Sequence, residues 1–372
     1  MKIDQRIKQL KLGIRRIADL ASQKPDCIRL DIGQPDFDTP EHIKQAAIDA
    51  LKEGFTGYTS SYGISELRGA IAERESEKVP NLNKNNVLVS SGGAGALTCS
   101  FLSFLKPEDE VIIPDPYWGP YVFQIVSSHG KPIPINYFSN GKIDADKLEK
   151  SITKKTKIIL VNSPENPTGR VYTKKDLEEI ADIANNHDLL VISDEVYDKL
   201  IFGDAKHLSI ASMIPEKTLL VNSCSKTYAM TGWRVGWLVG KEEYISEIMK
   251  CNRATIACPT SFAQKAAYSA LTGDQSCVEE MRKKYEERRD VAVEEFGKLG
   301  LEFVKPYGAF YTFPNIGRDS WKFALELLDQ RGVSVVPGDA FGSSGKEHIR
   351  VALTVDSEKI KEGIEKIGEF LK

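Results

Sequence analysis

Apolar and polar positions along the chain follow two regimes. In the middle, short apolar runs rich in β-branched residues recur: NNVLVSS, DEVIIPDP, KPIPINY, KTKIILVNSP, LLVISDEV, KTLLVNSCS and RVGWLVG. Most are continuous rather than alternating, the pattern of strands buried on both faces. Between them lie helical segments such as TKKDLEEIADIANNHD, and GGAGALTCSFLSFL reads as a glycine-rich turn entering a helix. Strands alternating with helices predict an α/β fold with a mostly parallel, doubly wound sheet. After about residue 280 the pattern changes. A charged helix, CVEEMRKKYEERRDVAVEEFGKLG, leads to short strands and a final amphipathic helix, DSEKIKEGIEKIGEFLK. The expected division is an N-terminal arm (1–13), a large domain (46–280) and a smaller α+β domain from 14–45 and 281–372.

Composition narrows the function classes. The net charge of -3 is spread without blocks of one sign, which points away from nucleic acid and anionic membranes. No run approaches the ~20 apolar residues that span a bilayer. The first residues, MKIDQRIKQLKLGIRRIADL, lack the apolar core and cleavage site of a signal peptide. The six cysteines show no CxxC spacing and the five histidines no HExxH, so neither a disulfide framework nor a metal site is expected. Reduced thiols suit a cytoplasmic protein.

Chemistry-bearing residues cluster where the predicted strands end. Gly93 and Ala94 follow NVLVSS, Trp118 follows VIIPDPY, Asn166 lies in NSPENPTG, Asp194 closes LLVIS, and Lys226 follows TLLVN. In an open parallel sheet these positions share one edge, where such folds bind ligands. The turn GGAGAL is neither a dinucleotide fingerprint nor a P-loop, because it lacks the third glycine and a following GK[ST]. A strand feeding small residues into a helix N-terminus still suits an anion.

The segments GQPDFDTP, NPTG, DEVY and SCSKTYAMTGWRVGW, in this order along the chain, resemble the class I aminotransferases of the fold type I pyridoxal-phosphate group, the aspartate and aromatic subgroup above all. The resemblance runs from Asp31 to Arg350. It implies that Lys226 holds pyridoxal 5'-phosphate as a Schiff base and shuttles a proton, a task suited to a primary amine whose pKa falls on desolvation. It further implies that Asp194 supports the ring nitrogen, that Tyr197 and Asn166 donate to the ring oxygen, and that Trp118 stacks on the ring. Gly93, Ala94, Ser223 (with Ser225 beside it) and Arg234 would hold the phosphate. Tyr58 would reach the phosphate of a neighbouring subunit, making the enzyme a homodimer. Arg350, Gly33, Trp118 and Asn166 would bind the substrate, Arg350 taking its α-carboxylate.

The expected reaction moves an amino group from an L-amino acid, aspartate first, to a 2-oxo acid such as 2-oxoglutarate. Aromatic amino acids, or a C–S or β-lyase reaction of the same fold, are the alternatives. A distal carboxylate needs a second cation. Some relatives place a lysine in the glycine turn, where this chain has Ala94; Arg253, in RATIACPT, is the other candidate.

Overall fold

The computed structural model describes residues 4–8, 10, 13–139 and 142–372, so residues 1–3, 9, 11 and 12 of the expected arm lie outside the described residues. Seven of the apolar runs form one sheet. In chain order its strands are β1 (Val87–Ser91), β2 (Glu110–Pro114), β3 (Lys131–Ile135), β4 (Thr156–Asn162), β5 (Leu190–Asp194), β6 (Thr218–Ser223) and β7 (Val235–Val239). Their order across the sheet is β1-β7-β6-β5-β4-β2-β3. The pairs among β3, β2, β4, β5 and β6 are parallel. Only β7 runs the other way, antiparallel to both β1 and β6.

This single reversal shapes the functional edge. Five strands deliver residues there at their C-terminal ends, whereas β7 delivers residues at its start. Val235 lies opposite Ser91, and Gly236 opposite Ser223, so Arg234 emerges beside the turn that follows β1. The contact is close enough to require glycine. A Cβ on Gly236 would stand 2.4 Å from the carbonyl carbon of Gly92.

The sheet is sandwiched, as its continuous apolar strands require. Val87 and Val89 pack with helix α1 (Ser65–Glu75) and with Trp237 on one side, while Leu88 packs with helix α2 (Gly92–Phe104) and helix α3 (Pro120–Ser127) on the other. A separate apolar cluster gathers both ends of the chain. Ile17, Ile28 and Leu30 meet Tyr285, Phe296, Phe323, Ile349 and Ile364 there. Its strands are short: Ile28–Arg29 pairs with Val333–Ser334, and Ile349–Ala352 lies between Tyr311–Thr312 and Val336–Pro337. The charged run after residue 275 is the helix Ser276–Lys298, and the chain closes on the helix Ser357–Leu371. Among the described residues no helix is long and apolar enough to cross a membrane.

Candidate active site

A cavity of about 460 Å³ opens at the edge where the sheet strands end. Its wall contains Gly93 and Ala94 after β1, Trp118 after β2, Asn166 after β4, Asp194 and Tyr197 at the end of β5, Ser223 and Lys226 after β6, and Arg234 before β7. Gly33 and Arg350 close it from the other apolar cluster. Twelve of the thirteen residues that the resemblance places at the site, Ser225 included, therefore converge. The thirteenth, Tyr58, is 93% exposed and is not part of the wall. Arg253, on the helix Glu242–Ile256, is exposed and also outside the wall.

Lys226 sits in the short helix Cys224–Thr227, capped by the Ser223 hydroxyl, which accepts from the Ser225 N–H at 3.3 Å. Its Nζ donates to the Gly33 carbonyl at 2.7 Å. Burial, reinforced by the guanidiniums of Arg350 and Arg234, depresses its ammonium from 10.5 to about 7. The amine is therefore substantially unprotonated near neutrality, as a nucleophile requires.

Asp194 ends β5 as a buried carboxylate with no cation paired to it. Oδ2 accepts from the Tyr121 hydroxyl at 2.7 Å, and Oδ1 from the Val196 N–H at 3.4 Å. Burial raises it from 3.8 to about 6 against these two donors. Tyr121, on α3, also meets Trp118 edge to face at 5.2 Å, so one side chain steadies two residues of the wall.

The two arginines are held by carbonyls and rings rather than by carboxylates. Nη1 of Arg234 donates to the Thr231 carbonyl at 2.8 Å. Arg234 adopts a left-handed backbone (φ 56), unusual for a side chain of this size, and its guanidinium lies over Gly92. A Cβ on Gly92, itself at φ +66, would stand 2.7 Å from Nη2. Arg350, on the strand Ile349–Ala352, donates to the Asp31 carbonyl at 2.8 Å and to Oδ1 of Asn166 at 3.3 Å. Its guanidinium stacks 4.4 Å from the Tyr311 ring centroid, and its buried Nε has no partner. Tyr197 exchanges a hydrogen bond with the Tyr311 hydroxyl at 3.0 Å.

Tyr121, Tyr311, Asn162 and Thr231 line the wall although the sequence did not single them out. None lies in a motif of its own. The proximity of Asn162 to the NPTG segment and of Thr231 to Arg234 were the available signals.

The donor set fits a phosphorylated aldehyde with a basic ring nitrogen. The guanidinium of Arg234, the hydroxyls of Ser223 and Ser225 and the N-terminus of α2 suit a dianion. The cation-free Asp194 suits a protonated ring nitrogen, and Lys226 suits the aldehyde.

Comparison with known proteins gives the family. The family described as "Aminotransferase class I and II" matches residues 25–367. The aspartate aminotransferase of Pyrococcus abyssi is 42% identical, over 96% of this chain and 95% of that protein. The aromatic-amino-acid aminotransferase 2 of Thermococcus litoralis is 40% identical, over 96% of this chain and 95% of that protein. Among solved structures, the aspartate aminotransferase from Thermus thermophilus with maleate superposes with a TM-score of 0.95 at 35% identity, covering 100% of both chains. With its fold, its strand-end motifs and its full-length likeness in agreement, the chain belongs to the class I and II aminotransferases and is a transaminase.

Proposed function

We propose that the chain is a pyridoxal 5'-phosphate-dependent transaminase that takes its amino group from L-aspartate and passes it to a 2-oxo acid, 2-oxoglutarate first. The observation that carries this reading is the cavity itself. It holds one desolvated amine, one buried carboxylate without a cation and two guanidiniums without carboxylates.

Pyridoxal phosphate, when bound, supplies a carbonyl for the amino group and a ring that takes up the electrons of the α-carbon. The chain's own residues do the rest. Nζ of Lys226, with its low proton affinity, would take the α-proton and pass it to the carbon that carries the cofactor's carbonyl. Asp194 holds a proton on the ring nitrogen, and its Tyr121 hydrogen bond keeps the carboxylate oriented. Tyr197 and Asn166 donate to the ring oxygen. Because Oδ1 of Asn166 already accepts from Arg350, its amide N–H groups remain for that task. Trp118 covers the ring. Arg234, Ser223, Gly93 and Ala94 hold the phosphate. Arg350 offers its planar fork, including the partnerless Nε, to the substrate α-carboxylate beside Gly33.

The same reading divides the chain into the units 46–280 and 14–45 with 281–372, and pairs two chains so that the exposed Tyr58 of one reaches the phosphate of the other. Aspartate and 2-oxoglutarate each carry a second carboxylate. Lys226, Arg234 and Arg350 are the only cations among the described residues of the wall, and each already has a role. The distal cation would therefore come from the partner, with Arg253 as the candidate. The absence of a spare cation in the wall favours a second reading, in which aromatic amino acids are the donors.

Absorbance of the protein loaded with pyridoxal phosphate, followed while single amino acids are added, tests both. Bleaching with aspartate supports the first reading, and bleaching with phenylalanine alone replaces it with the second. Release of ammonia and pyruvate in place of a stoichiometric oxo acid would convert the reading to a lyase. A protein that takes up no pyridoxal phosphate would end it.

A further inference from the structure

The turn that carries Asp194 and Tyr197 has a second face. Glu195 and Asp198 point away from the cavity into a buried cluster that no step above uses. Its centre is Lys78, just past α1, whose Nζ lies 2.9 Å from Glu75, 3.1 Å from Glu195 and 2.5 Å from Asp198. Of its three N–H donors one goes to Asp198, while Glu75 and Glu195 lie within ion-pair distance. Arg74 lies on the other side of Asp198, donating to both of its oxygens at 3.0 Å, and also pairs with Glu75. Its guanidinium stacks 5.3 Å from the Trp237 ring centroid on β7, while the Trp237 indole donates to Glu75 at 3.1 Å. Glu195 is held at every remaining position. Oε1 accepts from the Ser193 and Ser209 hydroxyls, and Oε2 lies 2.8 Å from Nε2 of His207.

The three carboxylates are essentially inaccessible, with side chains 0 to 1% exposed. Burying this many charges is costly, and apolar side chains of similar volume would often be as stable or more so. What so densely paired a cluster offers instead is a fixed geometry, because Glu195 and Asp198 must stay where their donors are. Its two anchors alternate with the two cavity residues: Asp194 and Tyr197 face the cavity, while Glu195 and Asp198 face the cluster.

We propose that the cluster of Lys78 and Arg74 with Glu75, Glu195 and Asp198, closed by His207, is the positioning element of the active site, holding the turn from behind so that the Asp194 carboxylate and the Tyr197 hydroxyl meet the cofactor ring in register. Lys78, Glu195 and Asp198 are positioning residues, since none touches the cavity. The inference rests on the cofactor reading above.

Two variants test it in the cofactor-loaded protein. Lys78→Met/Asp198→Asn removes one charge of each sign and keeps the cluster's net charge. Glu195→Gln keeps the side-chain shape and serves if the paired variant does not fold. A small misplacement of reacting groups costs on the order of tenfold to a hundredfold in rate. The expected result is a loss of that size in kcat, with KM for the amino donor changed less than about twofold. The pH midpoint of the bound cofactor's absorbance is expected to move, because the two groups that tune the ring are displaced. The cofactor-free variant is expected to bind pyridoxal phosphate more weakly than wild type. A folded variant with a lower thermal midpoint but wild-type kcat, absorbance midpoint and cofactor affinity would overturn the proposal and leave the cluster a matter of stability. A wild-type protein without cofactor absorbance would overturn the function reading and this inference together, whereas a normal wild-type spectrum with unchanged variants overturns the inference alone.

Discussion

Lys226 and Lys78 are the same side chain, both largely enclosed by protein, on opposite sides of one five-residue turn. Their environments push them in opposite directions. Lys226 faces two guanidiniums and no paired carboxylate, and burial takes its ammonium down to about 7. Burial would lower Lys78 too, but Asp198, Glu75 and Glu195 outweigh it and drive its ammonium well above the usual lysine range. The carboxylates divide in the same way. Asp194, without a cation, rises to about 6, whereas Glu195 is held down to about 2 by Lys78 and His207 against the effect of burial. Charges on the cavity side are left for a ligand to complete; charges behind it already have partners of opposite sign. Unmatched charge marks binding and reaction, and matched charge marks support.

The comparison breaks most visibly in turnover. If the Lys226 amine exchanges the α-proton as proposed, Lys226→Met loses positioned acid–base chemistry and turnover falls on the order of 10²–10⁴-fold. Steady-state transamination within tenfold of wild type would show that the cavity amine is not the reacting one.

Stability sharpens the contrast through its sign. A folded pKa depressed from 10.5 to about 7 means that below pH 7 the native state carries an ammonium it disfavours, while the unfolded chain holds the same proton freely. The penalty is fully present at pH 6 and is relieved as pH rises through 7 toward 10.5, so this lysine makes stability climb across that window. Cofactor-free Lys226→Met is therefore expected to be more stable than wild type at pH 6 by a few kcal/mol, with the advantage shrinking by pH 10. Lys78→Met is expected to lose roughly 3–5 kcal/mol at pH 6, because buried carboxylates lose their partner. Denaturant midpoints that moved in the same direction for both would erase the distinction.

The smallest effect is expected at Tyr58, outside the wall. If Tyr58 donates to the phosphate across a dimer, Tyr58→Phe weakens cofactor binding by about 0.5–1.5 kcal/mol, or up to about tenfold in the dissociation constant. An unchanged constant would leave Tyr58 as an exposed ring with no part in the site.

The cavity side was legible in the sequence and the support side was not. Lys226, Asp194, Asn166 and Trp118 each follow a run that can only be a buried strand, so one assumption about sheet direction places them together. Arg234 needed more: RVGWLVG reads the same in either direction, and only the reversal of β7 explains why an arginine that precedes a strand joins residues that follow others. Tyr311 and Tyr121 are supplied by a short strand and a helix face with no distinctive local pattern. The ion cluster is harder still. Lys78 and Asp198 are 120 positions apart, and as sequence each reads as an ordinary surface charge.

The two-faced turn has a consequence for how this stretch can change over time. Its meaning depends on phase rather than on composition. One extra residue between Glu195 and Val196 would deliver the phenol of Tyr197 to the place of Asp198 and displace an anchor from its donors, though every original side chain would still be present. Substitutions here can be graded, but a change of length is all or nothing. Insertions and deletions among descendants of this sequence should therefore collect on either side of the segment from Asp194 to Asp198, leaving its span untouched.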